Sequence, residues 1–229
     1  MRIGELTFEF IRKPIKNLHI SVLPPAGALR VAAPEAMTDT AVRMAVVKRI
    51  PWIKKQQAAF LQQARESARE LVSGETHYLW GKRYRLELVE TAGKHRLEVG
   101  HQRFKLNVTP NTSVENRLKV IEAYYRQALK GQLAVLLPLW SARLGVIVHD
   151  LRIQKMKTKW GSCAIENRRI IINLDLAKKP IECLEYVLVH ELAHLLERKH
   201  SERFVAILNE HLPDWAERKA LLSVYPLSD

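Results

Sequence analysis

His190-Glu191-Leu192-Ala193-His194 reads H-E-x-x-H inside an unbroken apolar run, with Tyr186-Val187-Leu188-Val189 before it and Leu195-Leu196 after it. Such a run has the length and composition of a helix packed in a core, where ionisable side chains are costly unless paired or bound to a metal. On a helix His190 and His194 are one turn apart and project from one face, so both imidazoles can reach a single ion. Zinc accepts neutral imidazole nitrogens in tetrahedral geometry, although imidazole also suits iron, nickel and copper. Glu191, next to the first ligand, is placed to act as general base on a water.

Such an ion needs a third ligand. His200 follows His194 by six positions, past the polar stretch Glu197-Arg198-Lys199 where the helix should end. Chains with a third histidine at this offset usually turn at a glycine in between. Glu197 stands there instead, so the turn must be made another way. Ser201 is a candidate N-cap for a helix from Glu202 to Leu208, which would anchor His200 at a helix start. Two carboxylates compete for the third position, Glu210 farther downstream and Glu197 one turn beyond His194. The expectation is one zinc per chain on His190, His194 and His200, with Glu210 as the next candidate.

At 229 residues, 47% of them hydrophobic, the chain can bury a sizeable core as one large domain or two small ones. No apolar stretch approaches the ~20 residues of a membrane span. The start, Met1-Arg2-Ile3-Gly4-Glu5, lacks the apolar core of a secretory signal. A cytoplasmic protein is therefore expected, with Cys163 and Cys183 as free thiols in preference to the alternative, a disulfide staple. The net charge of +13 is uneven, since residues 1–112 carry 19 Lys or Arg against 10 Asp or Glu. An excess of this size attracts nucleic acid, nucleotides or acidic surfaces, so a polyanion is a candidate partner beside a peptide or protein substrate. The alternative is a basic surface with no such partner.

Alternation predicts strands at Leu6–Phe10 and Leu18–Val22, the latter stopping at the Pro24-Pro25-Ala26-Gly27 turn. A helix is expected from Thr38 to Leu71, capped by Thr38 or Asp39, with Val42, Val46, Ile53, Phe60, Ala64 and Leu71 apolar and Pro51 breaking or kinking it. Strands are expected next at Tyr84–Val89, His95–Val99 and Phe104–Val108, with Gly93 and Gly100 between them. Pro110-Asn111 is the most natural boundary, dividing a β-rich part with one long helix (1–112) from a catalytic domain (113–229). Val114–Leu144 is helical, with Pro138 near its end, and Tyr124-Tyr125 reads as core packing. Strands return between Val146 and Leu176, and the motif helix starts near Pro180. No internal repeat is visible. The fold class is α+β.

Before the motif helix stand Lys155-Met156-Lys157-Thr158-Lys159-Trp160-Gly161-Ser162-Cys163 and Ile170-Ile171-Ile172-Asn173-Leu174. On a strand, Lys155, Lys157 and Lys159 would share one face, either simply solvated or forming an anion-attracting wall of a cleft. Gly161 permits close backbone approach. Strands leading into an H-E-x-x-H helix fit an edge that holds an extended peptide by strand addition.

Trp160-Gly161-Ser162-Cys163, Ile172-Asn173-Leu174, Pro180, Tyr186-Val187, the H-E-x-x-H segment, His200-Ser201, Phe204 and Pro213-Asp214-Trp215, in this order, resemble the YgjP-like metallopeptidase family, relatives of SprT-like zincins. The similarity is densest from Lys155 to Trp215. Ala164 departs from it, standing where a small polar residue is expected. The resemblance implies a minimal zincin-like fold with a β-rich N-terminal part, His190, His194 and His200 as ligands, Glu191 as catalytic base, and a bacterial, cytosolic origin. A zinc-dependent hydrolase, specifically a metallopeptidase, is therefore expected. Tyr186, His211, Lys159 and Arg169 are the unranked candidates to contact substrate or the developing oxyanion. Two alternatives are a metal-dependent nucleoside triphosphate pyrophosphohydrolase clamping phosphates with the lysines and Arg168-Arg169, and a nucleic-acid-associated protein with a secondary metal site.

Overall fold

A computed structural model describes residues 2–4, 6–23, 27–62 and 70–224. They form two compact units, one on the N-terminal side of Ser67 and the other Ala68–Tyr225. In the first, β1 (Arg2–Ile3), β2 (Leu6–Lys13), β3 (His19–Leu23) and β4 (Ala28–Pro34) make a sheet in the order β1-β2-β4-β3. The central pair β2–β4 is parallel and both outer pairs are antiparallel. Leu29, Val31 and Ala33 point inward at the period of two that a half-buried strand requires.

Two helices cover the sheet, α1 (Asp39–Lys48) and α2 (Ile50–Gln62). Thr38 caps α1 by accepting a hydrogen bond from Ala41 N at 3.3 Å. Val42 and Val46, one turn apart, join Ile53, Phe8, Val22, Leu29, Val31 and Ala33 in a small core. The helix expected over Thr38–Leu71 is interrupted at Arg49, just before Pro51, whose ring nitrogen cannot donate to a continuing ladder. Leu71 is not helical, with φ of 54°. Ala64, the side chain of Phe60 and the expected turn residues Pro24-Pro25-Ala26 lie outside the described residues.

The second unit begins with β5 (Thr76–Leu79), β6 (Lys82–Glu90), β7 (Arg96–Gly100) and β8 (Arg103–Val108), in the order β5-β6-β8-β7. Here too the central pair β6–β8 is parallel and the flanking pairs antiparallel. A capped helix again comes next, α3 (Val114–Leu144), with Ser113 accepting from Asn116 N at 3.3 Å. The chain thus does contain a repeat. Leu29, Val31, Ala33 and the cap Thr38 correspond to Phe104, Leu106, Val108 and the cap Ser113 at one constant offset. It escaped the sequence because only apolar alternation and spacing are kept, not residue identity.

Leu86, Phe104, Leu106 and Val108 share one core with Ile121, Leu129 and Trp140 of α3 and with the H-E-x-x-H segment. The Pro110-Asn111 boundary therefore falls inside this second unit, between β8 and α3. A three-stranded sheet comes after α3, with β9 (Asp150–Gln154), β10 (Gly161–Ala164) and β11 (Arg169–Asn173) in the order β10-β11-β9. Last come α4 (Ile181–Ala193), α5 (Glu202–His211) and α6 (Trp215–Val224). Trp140 Nε1 donates to Glu185 Oε1 at 2.9 Å, and Arg218 bonds both Glu185 and Asp214, which ties α3, α4 and α6 together. The architecture is α+β. Cys163 and Cys183 are free thiols. Among the described residues no helix is long and apolar enough to cross a membrane.

Candidate metal centre

Helix α4 carries buried apolar side chains on nearly every side, and the H-E-x-x-H residues occupy its last turn. His190 and His194 face the same way, and His200 joins them from the connection to α5. Their ligand-capable atoms all lie within 4.8 Å of one another. His190 Nε2 and His200 Nε2 are 3.0 Å apart. The chain reverses without a glycine. Leu195, Leu196 and Glu197 donate to Leu192, Ala193 and Ala193 at 3.0, 3.0 and 2.9 Å, so the helix tightens before it ends. Glu197 Oε1 then accepts from Lys199 N at 3.1 Å. Among the described residues none between 194 and 201 has a positive φ, so the side chain at 197 takes the place of the missing glycine. Ser201 caps α5 as expected, accepting from Phe204 N at 3.4 Å.

Ring orientation is set from behind. His194 Nδ1 is 3.2 Å from Glu197 O, which only an N–H can satisfy. His190 Nδ1 meets the Tyr186 hydroxyl at 3.5 Å. Both contacts leave Nε2 free to point at the common centre. Phe204, buried on α5, packs against all three imidazoles, with ring centroids 4.9, 4.7 and 4.8 Å from those of His190, His194 and His200. Burial first, then the neighbouring His194, His200 and Lys219, pulls the His190 pKa down to about 4. Burial likewise lowers that of His194. Neutral imidazole is the form that binds metal, so the donor set fits a divalent ion.

Glu191 is buried beside this cluster, and burial raises its pKa to about 7 against the opposing pull of Lys159. It faces Gly161, the first residue of β10. A Cβ there would lie 2.7 Å from Glu191 Cγ and 2.8 Å from Val187 Cγ1, so only glycine lets the strand come this close. The segment before it is not the lysine-faced strand expected. Residues 155–160 form a bent loop, because Asn173 takes up their backbone groups. Its Nδ2 donates to Met156 O at 2.8 Å and Lys159 O at 2.7 Å, and its own N–H donates to Trp160 O at 2.9 Å. Lys155 turns away to Glu122 at 2.9 Å. Lys159 alone of the three lysines lines the cleft.

That cleft is a cavity of about 360 Å³ lined by Lys159, Gly161, Ser162, Cys163, Glu191 and the three histidines, among others. Arg169 lies elsewhere, on Asp150 at 2.6 Å. Tyr186 is buried behind His190, and its hydroxyl pKa is raised to about 12 by burial and then by Glu191. His211 ends α5 and does not line the cavity, and Glu210 is exposed outside the cluster. Sequence reasoning missed Phe204 and Asn173 as site residues. Phe204 reads as an ordinary apolar helix position and Asn173 as a strand end, and only the tertiary fold turns them inward.

No curated protein matches the chain. Among solved structures it is similar to the metallopeptidase zymogen abylysin of Pyrococcus abyssi, at 23% identity and a TM-score of 0.38, over 40% of this chain and 92% of that one. It is also similar to the metallopeptidase zymogen jannalysin of Methanocaldococcus jannaschii, at 20% identity and a TM-score of 0.36, over 41% of this chain and 97% of that one. The model of the YgjP-like metallopeptidase domain matches residues 16–225, most of the chain. The protein belongs to the YgjP-like metallopeptidase family.

Proposed function

We propose that this metallopeptidase is zinc-dependent, with His190, His194 and His200 holding one ion and Glu191 as general base. The observation that carries the reading is the convergence of three imidazoles, two of them with Nδ1 engaged from behind, next to a buried carboxylate in an open cleft. Zinc bound there would supply a Lewis acid for the scissile carbonyl and acidify a water.

The protein's own groups do the rest. Glu191 takes the proton from the attacking water as its oxygen bonds to the carbonyl carbon, and returns that proton to the amine as the C–N bond breaks. Burial within the protein alone raises the Glu191 pKa, which favours its holding the proton between the two steps, and a bound cation would oppose that rise and favour the carboxylate that takes the proton first. Lys159 and Arg198 are the cationic side chains that line the cleft, and Lys159, whose charge acts on Glu191, is the one assigned to meet the developing oxyanion. Strand β10 is the edge of its sheet and lines the cleft through Gly161, Ser162 and Cys163, so an extended peptide can add alongside it. Two free thiols agree with a reducing, cytosolic setting.

The test is a cleavage screen on metal-quantified protein across peptides and nucleotides, with Glu191→Gln beside it. Glu191→Gln is expected to keep its metal and fold while turnover falls about 10²–10⁴-fold. Metal loss in Glu191→Gln would make Glu191 a ligand, and phosphate release from nucleotides without peptide cleavage would replace the reading altogether. Undiminished metal in His200→Ala would remove His200 from the set.

A further inference from the structure

No described residue of the first unit is among those that line the site described above, yet one of its surfaces is unusual. From residue 40 to residue 62 the chain has five Lys or Arg and no Asp or Glu. These cations are Arg43, Lys48, Arg49, Lys54 and Lys55, all exposed on α1, its C-terminal cap and α2. None has an ion-pair partner among the described residues, whereas Arg12 is paired with Asp39 and Arg30 with Glu9 on the same unit. Uncompensated charge is therefore concentrated on the helix pair.

Large apolar side chains sit among these cations. Met44, Val47 and Trp52 are 59%, 49% and 40% exposed, and they are the exposed large hydrophobics of this unit among the described residues. Arg43 and Val47 are one helical turn apart, as are Met44 and Lys48, so the four share a face of α1. Trp52 and Lys55 are one turn apart on α2. The opposite face, Val42, Val46 and Ile53, is already committed to the core. Isolated exposed apolar residues need no explanation, but three within nine positions, bracketed by unpaired cations, make a surface with a chemistry of its own.

We propose that this α1–α2 face is a docking surface for an acidic polypeptide segment that carries apolar side chains between its carboxylates. Charge complementarity selects an anion, and the apolar residues select among anions. Phosphodiester backbones are met by cations and hydrogen-bond donors. Met44 and Val47, on the same face of α1 as Arg43 and Lys48, would gain nothing from phosphates, and Trp52 is the one exposed apolar side chain of the three with a ring for a base to stack on. A bilayer is entered by a continuous apolar helix face, and here that face is buried in the protein's own core. Exposed Trp, Met and Arg side chains are enriched in protein-binding patches, where aromatic and Arg side chains supply the anchors, and Lys48, Lys54 and Lys55 add the charge that favours an acidic partner.

The proposal stands apart from the peptidase reading, and binding measured without regard to cleavage tests it. The full chain is titrated against four fluorescent probes of similar length or charge: a peptide of repeated Glu-Glu-Leu, a polyglutamate peptide, a single-stranded DNA oligonucleotide, and phosphatidylglycerol vesicles. The Glu-Glu-Leu peptide is expected to bind tightest. Met44→Ser combined with Trp52→Ser should weaken it about tenfold, toward the polyglutamate level, and Arg43→Gln, Lys48→Gln and Arg49→Gln together should weaken it at least about tenfold and flatten its salt dependence. All five positions are exposed, and an unchanged melting curve checks each variant's fold. Absence of peptide binding, tighter binding of DNA or vesicles, or peptide binding indifferent to both sets of substitutions would overturn the proposal.

Discussion

The sheets β1-β2-β4-β3 and β5-β6-β8-β7 have the same order, the same parallel central pair and a Thr- or Ser-capped helix after the last strand. The two differ in the helix beyond the cap. After Thr38 the helix runs ten residues and is broken ahead of Pro51, and its buried side chains, Val42 and Val46, serve a local core. After Ser113 the helix runs 31 residues and passes through Pro138 without ending, because Leu133 before it and Trp140 and Leu144 after it are buried in a large core. Packing on both sides of Pro138 outweighs the ~3 kcal/mol that an interior proline costs. One β topology thus closes a small unit in the first case and in the second becomes part of the larger core that also holds the helix with the candidate metal ligands. A proline in a helix is decided by what packs around it.

The largest expected effect tests whether the two cores are independent. Trp140→Ala removes a fully packed ring and the bond to Glu185, and should destabilise the second unit by about 3–5 kcal/mol and lower its metal retention in denaturant. Ile53→Ala should cost about 2–5 kcal/mol in the first unit and leave metal content unchanged. Urea unfolding followed by bound metal and by circular dichroism distinguishes the two, and metal release on Ile53→Ala would break the comparison.

Gly161→Ala comes next, because its methyl would overlap Glu191 and Val187. A cost of about 1–3 kcal/mol is expected, with metal retained and turnover reduced as Glu191 is displaced. Normal turnover at full occupancy would mean that the position of Glu191 is unimportant. The paired caps sharpen the comparison further. Thr38→Ala and Ser113→Ala should each cost about 0.5–2 kcal/mol, read as separate shifts of the first and second unfolding transitions, and a single shared transition would deny that the units unfold separately.

The smallest effect is a reactivity. Burial raises the pKa of both Cys163 and Cys183 to about 11. A raised thiol pKa leaves little thiolate below it, so the reactive fraction grows about tenfold for each pH unit as pH climbs toward that value. Neither thiol should react with an alkylating reagent at pH 8 on the time scale on which both react in denaturant. Rapid native alkylation would show that the second unit opens.

Local periodicity carried much of this molecule. Helices at Val114–Leu144 and after Ser201, most of the strands, and the projection of His190 and His194 from one face come from spacing alone, because they depend on residues a few positions apart. The lysine strand failed for the opposite reason. Alternation at Lys155, Lys157 and Lys159 was real, but Asn173, at the far end of β11 with β10 in between, holds those backbone groups in a loop.

The sequence by itself determined a buried helix bearing two same-face histidines and a carboxylate, since an apolar run tolerates such groups only where something holds them. Tertiary structure decided the rest. It brought His200 beside His190 by a turn without glycine, laid Phe204 against all three rings, pressed Gly161 onto Glu191, and selected Lys159 for the cleft while sending Arg169 to Asp150. Contacts of this kind join residues whose separation in the chain carries no periodic signal, so they exist only once the elements have packed.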